Sequence, residues 1–504
     1  MKKSLKQQIE EQEGGKFPSK SYTEMVLKPA FNEAKYKLTE HILQINYAHL
    51  IMLVEQKLMD EADARKICLA IRSIDIETIQ KSEYNPQFED LFFQLEGQLL
   101  QHAGDIAGNL HIARSRNDMG IAIYRMTLRE KLLFLLEEAL KLRSCLISLT
   151  VEHKDTIMIG YTHTQQAQPT TLAHYLNAMT DLLTRDIERI LSAYENVNRS
   201  SMGAAALTTS GFHINRNRMK ELLGFDTIIH NAWDAVSGAD YLAEIATTVQ
   251  LAALNLGRSI QDFLLWGTQE FGAFKLADPY VQISSIMPQK RNPVSLEHLR
   301  ALLSSVVGDT QTVTLMIHNT PFGDIVDTED DLQPYLWRAI DKLQGIYQLL
   351  ACILGTMTVN RTILLKRAQE SFANVTELAD TLVRKDGISF RQAHHVVSSS
   401  VKKAMNSDKS SLKDLTLKIV NEQFTLIIGK PSSLTEEQFN KSLSPEHFVN
   451  IRVIEGGPSP ASMNMAIERC LEEQLQWEEW LQYRWSLLEE AYTEVENIIE
   501  KWMI

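Results

Sequence analysis

The clearest signal along the chain is a set of long stretches whose apolar residues recur every three or four positions. From Ile121 they fall at Tyr124, Leu128, Leu132, Leu135, Ala139, Leu142, Leu146 and Leu149, with spacings of 3, 4, 4, 3, 4, 3, 4 and 3. This is the stripe of an amphipathic helix long enough to cross a domain. A second run puts Leu242, Ile245, Val249, Ala252, Leu256, Ile260 and Phe263 on one face, and two more cover 298–316 and 332–354. Near-heptad spacing sustained over such lengths favours nearly parallel packing, as in a long helical bundle. Shorter helical patterns occupy 31–111 and the chain beyond Thr362, with loops at Gly387 and at Gly456-Gly457-Pro458. Residues 1–20 are polar and read as a loose arm.

Composition sharpens this picture. At about 150 residues per domain, a chain of 504 residues corresponds to about three domains. That is enough to bury a large core without metal or disulfide staples. Proline is absent from 87–168, 170–278 and 335–430, and because proline breaks helices, such spans favour long ones. The net charge of −13 argues against nucleic acid as the main partner, since a phosphate-binding surface needs a Lys/Arg excess. Cys68, Cys145, Cys352 and Cys470 lie far apart, so they are expected to be reduced, buried small hydrophobes. The N-terminus has no apolar core of a signal peptide and no stretch approaches a membrane span, so the expected location is cytoplasmic with no membrane partner. Four of the seven tryptophans, Trp477, Trp480, Trp485 and Trp502, crowd a Glu-rich helical pattern at the C-terminus. They are expected to dock that helix on the body, with a partner contact as the second reading.

Common catalytic signatures are absent: no GxxxxGK[ST], GxGxxG, GxSxG or HExxH occurs. Three polar islands stand at the ends of the long apolar patterns instead. GNLHIARSRNDM carries Ser115, Arg116 and Asn117, and by itself reads as a capped helix start. GYTHTQQAQPTT carries Thr162, His163 and Gln168, and by itself reads as a polar loop. VQISSIMPQKRNPVSLEHLR carries Ser284, Lys290 and Asn292 in a loop bounded by prolines, after which a helix restarts with Glu297 in its first turn. Arg, Lys, Asn, Ser and Thr donors converging from separate helix ends could bind a carboxylate-rich substrate. The chemistry alone supports an anion-binding site.

SSIMPQKRNP resembles the signature loop of the fumarase/aspartase superfamily. HIARSRNDM and YTHTQQAQP are similar to the HTGRSRND and YTHLQRAQP motifs of the argininosuccinate lyase family. NAWDAVSGAD, LVRKDGISFRQAH and SPEHFVNIRVIEGGPSP are further matches, all in the family's order across about residues 25 to 465. The resemblance implies an all-α, three-domain subunit, here divided as 1–112, 113–363 and 364–504. Its central long-helix bundle would form a twenty-helix core in a homotetramer, with each active site shared between three chains. It also implies reversible anti-elimination of fumarate from argininosuccinate, giving arginine, through a serine base and an aci-carboxylate, with no cofactor or metal.

Carried over position by position, the resemblance makes Ser284 the general base and pairs His163 with Glu297. Lys290 and Asn292 would hold the substrate carboxylate as charge builds on it. Thr162 would bind the fumaryl part, and Ser115, Arg116, Asn117 and Gln168 would make the remaining contacts. The departures fall mostly on the amine side. The usual Gly-Ser pair aligns with Ile45 and Asn46, and the YNKDxQEDK segment reads DIVDTEDDL, putting Asp324, Glu329 and Leu332 where Tyr, Gln and Lys are usual. Elsewhere, Ile283 replaces the glycine before the two serines, Ile112-Ala113 replaces Thr-Gly, and Phe92 replaces the histidine of EDIH. The aspartate-to-fumarate half is therefore expected to be intact and the amine half altered. The alternatives are a lyase for a different N-substituted aspartate, or a catalytically silent structural relative.

Overall fold

In the computed structural model, which describes residues 3–405 and 411–503, a bundle of five long helices with a longer last helix docked on it carries the architecture. In chain order its elements include α1 (Thr39–Glu55), α2 (Glu61–Arg72), α3 (Leu91–Ala103), α4 (Arg116–Glu152), the hairpin β1 (Ile157–Thr162) and β2 (Gln165–Thr171), α5 (Leu172–Val197) and α6 (Asp240–Trp266). After these come the strand pair β3 (Gln282–Ile283) and β4 (Arg291–Asn292), α7 (Val294–Ile317), α8 (Gln333–Thr356), α9 (Val375–Asp386), α10 (Phe390–Ala404), α11 (Leu417–Ile428) and α12 (Pro460–Met503). Helix α4 packs against α5 and α8, α6 against α7 and α5, and α7 against α8, which closes the bundle. The chain is all-α, and the strands among the described residues form four small two-stranded pairings, one of which joins Phe274–Lys275 to the distant Thr358–Val359.

The bundle forms where the periodic pattern puts it. At 37 residues and about 1.5 Å per residue, α4 is roughly 55 Å long. Its start is fixed by a reciprocal cap, in which Ser115 accepts from the first turn and Asp118 reaches back to the Ser115 N–H. Thr171 caps α5, Pro293 stands at the start of α7, and Pro334 lies in the first turn of α8, where its missing N–H costs nothing. The span 170–278 holds two long helices, α5 and α6, joined by short elements around Arg216–Leu222 and Ala232–Ser237.

Two buried arginines on α4 lock α12 onto the bundle. Arg129 donates to Asn198 Oδ1, to the Leu223 and Gly224 carbonyls and to the Tyr492 hydroxyl. Arg143 donates to the Cys470 carbonyl, to Gln474 and to Glu473, with its guanidinium 4.8 Å from the Trp477 ring centre. Trp480 meets Tyr194 edge-on at 5.2 Å and Trp485 meets Phe134 at 5.0 Å. The aromatic cluster thus docks the last helix on its own chain. A separate apolar core, built from Leu378, Leu382, Val396, Val420, Phe424 and neighbours, joins α9, α10 and α11. Residues Leu5–Glu13 form a capped helix with no buried residue. Among the cysteines only Cys68 and Cys470 are buried; Cys145 is half-buried and Cys352 is exposed, because it lies on an outward position of α8.

Candidate active site

The first polar island turns into α4 through a strained residue. Ala113 has φ +61°, the left-handed region that costs an L-residue about 1 kcal/mol and that a glycine would occupy freely. Ser115 Oγ donates to Asn117 Oδ1 at 2.8 Å. Arg116 is ion-paired with Asp90, lies 3.5 Å from Glu89, and sits over the Phe93 ring at 4.9 Å.

Around this turn lies a cavity of about 430 Å³. Ser115, Arg116 and Asn117 form one side, and Asp324, Glu329 and Asp330 from the segment before α8 form another. Phe31, Leu38, Ile42 and Phe92 supply an apolar wall, and Tyr124 of α4 donates to Asp330 Oδ1 at 2.6 Å. Burial raises the Asp90 carboxyl above its usual range although Arg116 opposes this. Burial, a hydrogen bond with Asp324 and the charge of Asp330 push Glu329 up to about 9.

Asn46 is placed differently from the amine-side contact expected of it. It is buried inside α1 and accepts from Arg114 at 2.8 Å, because Ile42, one turn earlier, takes the position facing the cavity. Leu332 is fully buried among the bundle side chains.

The second island is a hairpin where a polar loop was expected. Its strands pair Thr162 with Gln165 and Gly160 with Gln168. The two-residue turn is His163-Thr164, with φ of +50° and +62°, both positive as a type I′ turn requires. Thr162, His163 and Gln168 are all exposed. In the third island Ile283 pairs with Arg291 in extended backbone, so no glycine conformation is needed there. Ser284 Oγ accepts the N–H of Met287 at 3.2 Å and of Ile286 at 3.4 Å, while the Ser284 N–H donates to the Lys290 carbonyl at 3.4 Å. Asn292 ends β4, and Glu297 stands in the first turn of α7.

Within one chain, then, Ser115, Arg116, Asn117, Asp324 and Glu329 come together, as do Ser284, Lys290 and Asn292. The cavity includes none of Thr162, His163, Gln168, Ser284, Lys290, Asn292 or Glu297. Sequence reasoning missed Glu89, Asp90, Tyr124 and Asp330. The carboxylates sit beside residues already singled out, in FEDLF and DTEDDL, whereas Tyr124 was counted into the apolar stripe of α4.

A family model described as Lyase matches residues 6–308, and one described as Argininosuccinate lyase C-terminal matches 372–450. "Argininosuccinate lyase 2" of Agrobacterium fabrum is 40% identical over 454 residues, 90% of each chain. The chain belongs to the argininosuccinate lyase family. The argininosuccinate lyase of Methanosarcina mazei is 35% identical over 91% of this chain and 92% of its own. A solved EDDS lyase variant with bound fumarate superposes with a TM-score of 0.84 at 28% identity, covering 97% of this chain and 96% of the other. As a member of the argininosuccinate lyase family the chain is a carbon–nitrogen lyase with the superfamily's all-α fold. No helix among the described residues is long and apolar enough to cross a membrane.

Proposed function

We propose that the chain releases fumarate from an N-substituted aspartate of the argininosuccinate type, reversibly, with Ser284 as the base. The observation that carries this reading is the environment of Ser284. Its Oγ receives two backbone N–H groups, from Ile286 and Met287. Such donors favour the ionised oxygen over the hydroxyl. The alkoxide takes the Cβ proton, and the electron pair of that bond spreads into the neighbouring carboxylate as an aci-carboxylate, held by Lys290 and Asn292. When the pair returns to form the carbon–carbon double bond, the C–N bond breaks and the amine departs with its electrons. His163, partnered by Glu297, is assigned the proton that the leaving nitrogen needs. Thr162, Gln168, Ser115, Arg116 and Asn117 are assigned the binding of the substrate.

These groups lie on separate loops, so the reading includes a homotetramer in which three chains contribute to each site. Fumarate absorbance during incubation with argininosuccinate and related N-substituted aspartates tests it. Turnover abolished in Ser284→Ala is the expected result. No fumarate from any of these substrates, or full activity in the Ser284→Ala protein, overturns it. An active monomer in light scattering overturns the shared site.

A further inference from the structure

The amine side of the cavity is strongly one-signed. Glu89, Asp90, Asp324, Glu329 and Asp330 line it, and its one cation is Arg116. That cation is already engaged, by its ion pair with Asp90 and its approach to Glu89. Facing these carboxylates is an apolar wall that includes Phe31, Leu38 and Ile42. Leu332, which follows the acidic run, is fully buried and contributes no charge. A ligand reaching past Arg116 therefore meets a greasy surface along its length and carboxylates at its end. An alkyl chain with a terminal cation satisfies both, whereas a terminal carboxylate would be desolvated among like charges.

We propose that this pocket selects leaving groups whose far end is a cation without a carboxylate, such as alkyl diamines and aminoalkyl guanidines, over α-amino acids. The inference rests on the fumarate-lyase reading above and assigns Asp324 and Glu329 as its specificity-determining residues. The crowding around Glu329 agrees with it. Burial, a hydrogen bond with Asp324 and the charges of Asp324 and Asp330 raise its carboxyl to about 9 against the opposing pull of Arg116, so it is protonated near neutrality. The cluster already holds a proton against its own repulsion, and a bound cation relieves the same repulsion. In the synthetic direction the chemistry balances without a further reactant: the neutral amine adds to one fumarate carbon, loses one N–H proton, and the other carbon gains a proton from Ser284.

The test compares pairs that differ only in the carboxylate. In elimination, kcat/KM is measured for argininosuccinate and for its analogue lacking the arginine α-carboxylate. In addition, 1,5-diaminopentane and lysine compete for fumarate, and the adducts are weighed by mass spectrometry. At least tenfold preference for the decarboxylated member of each pair is expected. Glu329→Gln and Asp324→Asn should shrink that preference through KM, and Glu329→Lys should turn it toward the amino acid; circular dichroism checks that each variant is folded. Equal or better turnover of argininosuccinate by the unmodified enzyme overturns the inference and leaves the lyase reading standing. Fumarate from no substrate and adducts with no amine overturn both.

Discussion

Asp118 holds the first site turn from behind, and replacing it by asparagine separates two opposing effects. The carboxylate is fully buried. Its Oδ1 accepts the Ser115 N–H at 2.9 Å, and its Oδ2 accepts the Gly203 and Ala205 N–H groups, each at 2.9 Å. Burial outweighs these bonds and raises its pKa from 3.8 to about 6. At about 1.4 kcal/mol per pH unit, ionised Asp118 costs about 3 kcal/mol of stability at neutral pH. Asparagine removes that cost but has one acceptor oxygen. It can serve Gly203 and Ala205 or Ser115, and its amide then faces a backbone donor. Losing a charge-assisted bond (about 1.5–3 kcal/mol) and stranding an N–H (about 1–3 kcal/mol) together exceed the relief at the middle of these ranges. Asp118→Asn is therefore expected to destabilise by about 1–3 kcal/mol at pH 7.5. Because the folded pKa is raised, the cost in the parent protein lifts as pH falls from about 6 toward 3.8, whereas asparagine does not titrate. The gap should widen by about 1.4 kcal/mol between pH 7.5 and pH 5. Urea unfolding followed by circular dichroism at both pH values measures it. A gap that is constant or narrows on acidification refutes the reasoning.

Three further expectations follow from single residues. Arg143→Met should cost about 3 kcal/mol in urea unfolding, because it strands the Cys470 carbonyl and Gln474 in the interior; a loss below about 1 kcal/mol contradicts the locking role. Thr164→Gly should raise the melting temperature slightly, since an exposed β-branched residue at φ +62° gives up about 1 kcal/mol of strain, and a lower melting temperature shows the turn is unstrained. Glu329→Gln should stabilise progressively from pH 5.5 to 8.5. With its pKa raised from 4.5 to about 9, Glu329 loses a proton only on unfolding in that window, so the parent weakens as pH rises. Parallel melting curves across the range would contradict it.

How far the sequence could be read depends on which signal dominated locally. Where a 3.6-residue period ran long, the four runs found at 121–149, 242–263, 298–316 and 332–354 match Arg116–Glu152, Asp240–Trp266, Val294–Ile317 and Gln333–Thr356. The hairpin at 157–171 was opaque because its turn is His163-Thr164, without the Asn or Gly that normally announces two positive φ values. The locking arginines on α4 were invisible for a related reason, since a charged position on a periodic helix reads as its solvent face. Among the residues that line the cavity, Arg116, Asp324 and Glu329 had been singled out from motif and departure. The place of Asn46 was not legible, because alignment puts a residue on a turn of helix without saying which neighbour faces the cavity.

The last helix ties the chain's first hundred residues to its end. Arg72 of α2 bonds Glu496 and pairs with Glu500, and Arg65 donates to the Met503 carbonyl across 438 positions. During synthesis α1 and α2 emerge long before the surface that covers them. At about 5–20 residues per second, the 424 positions from Arg72 to Glu496 take roughly 20–85 s to make. For that interval α2 lacks its ion pairs and hydrogen bonds to α12. The earliest and latest helices of the fold are thus joined only after the long bundle helices between them have been made.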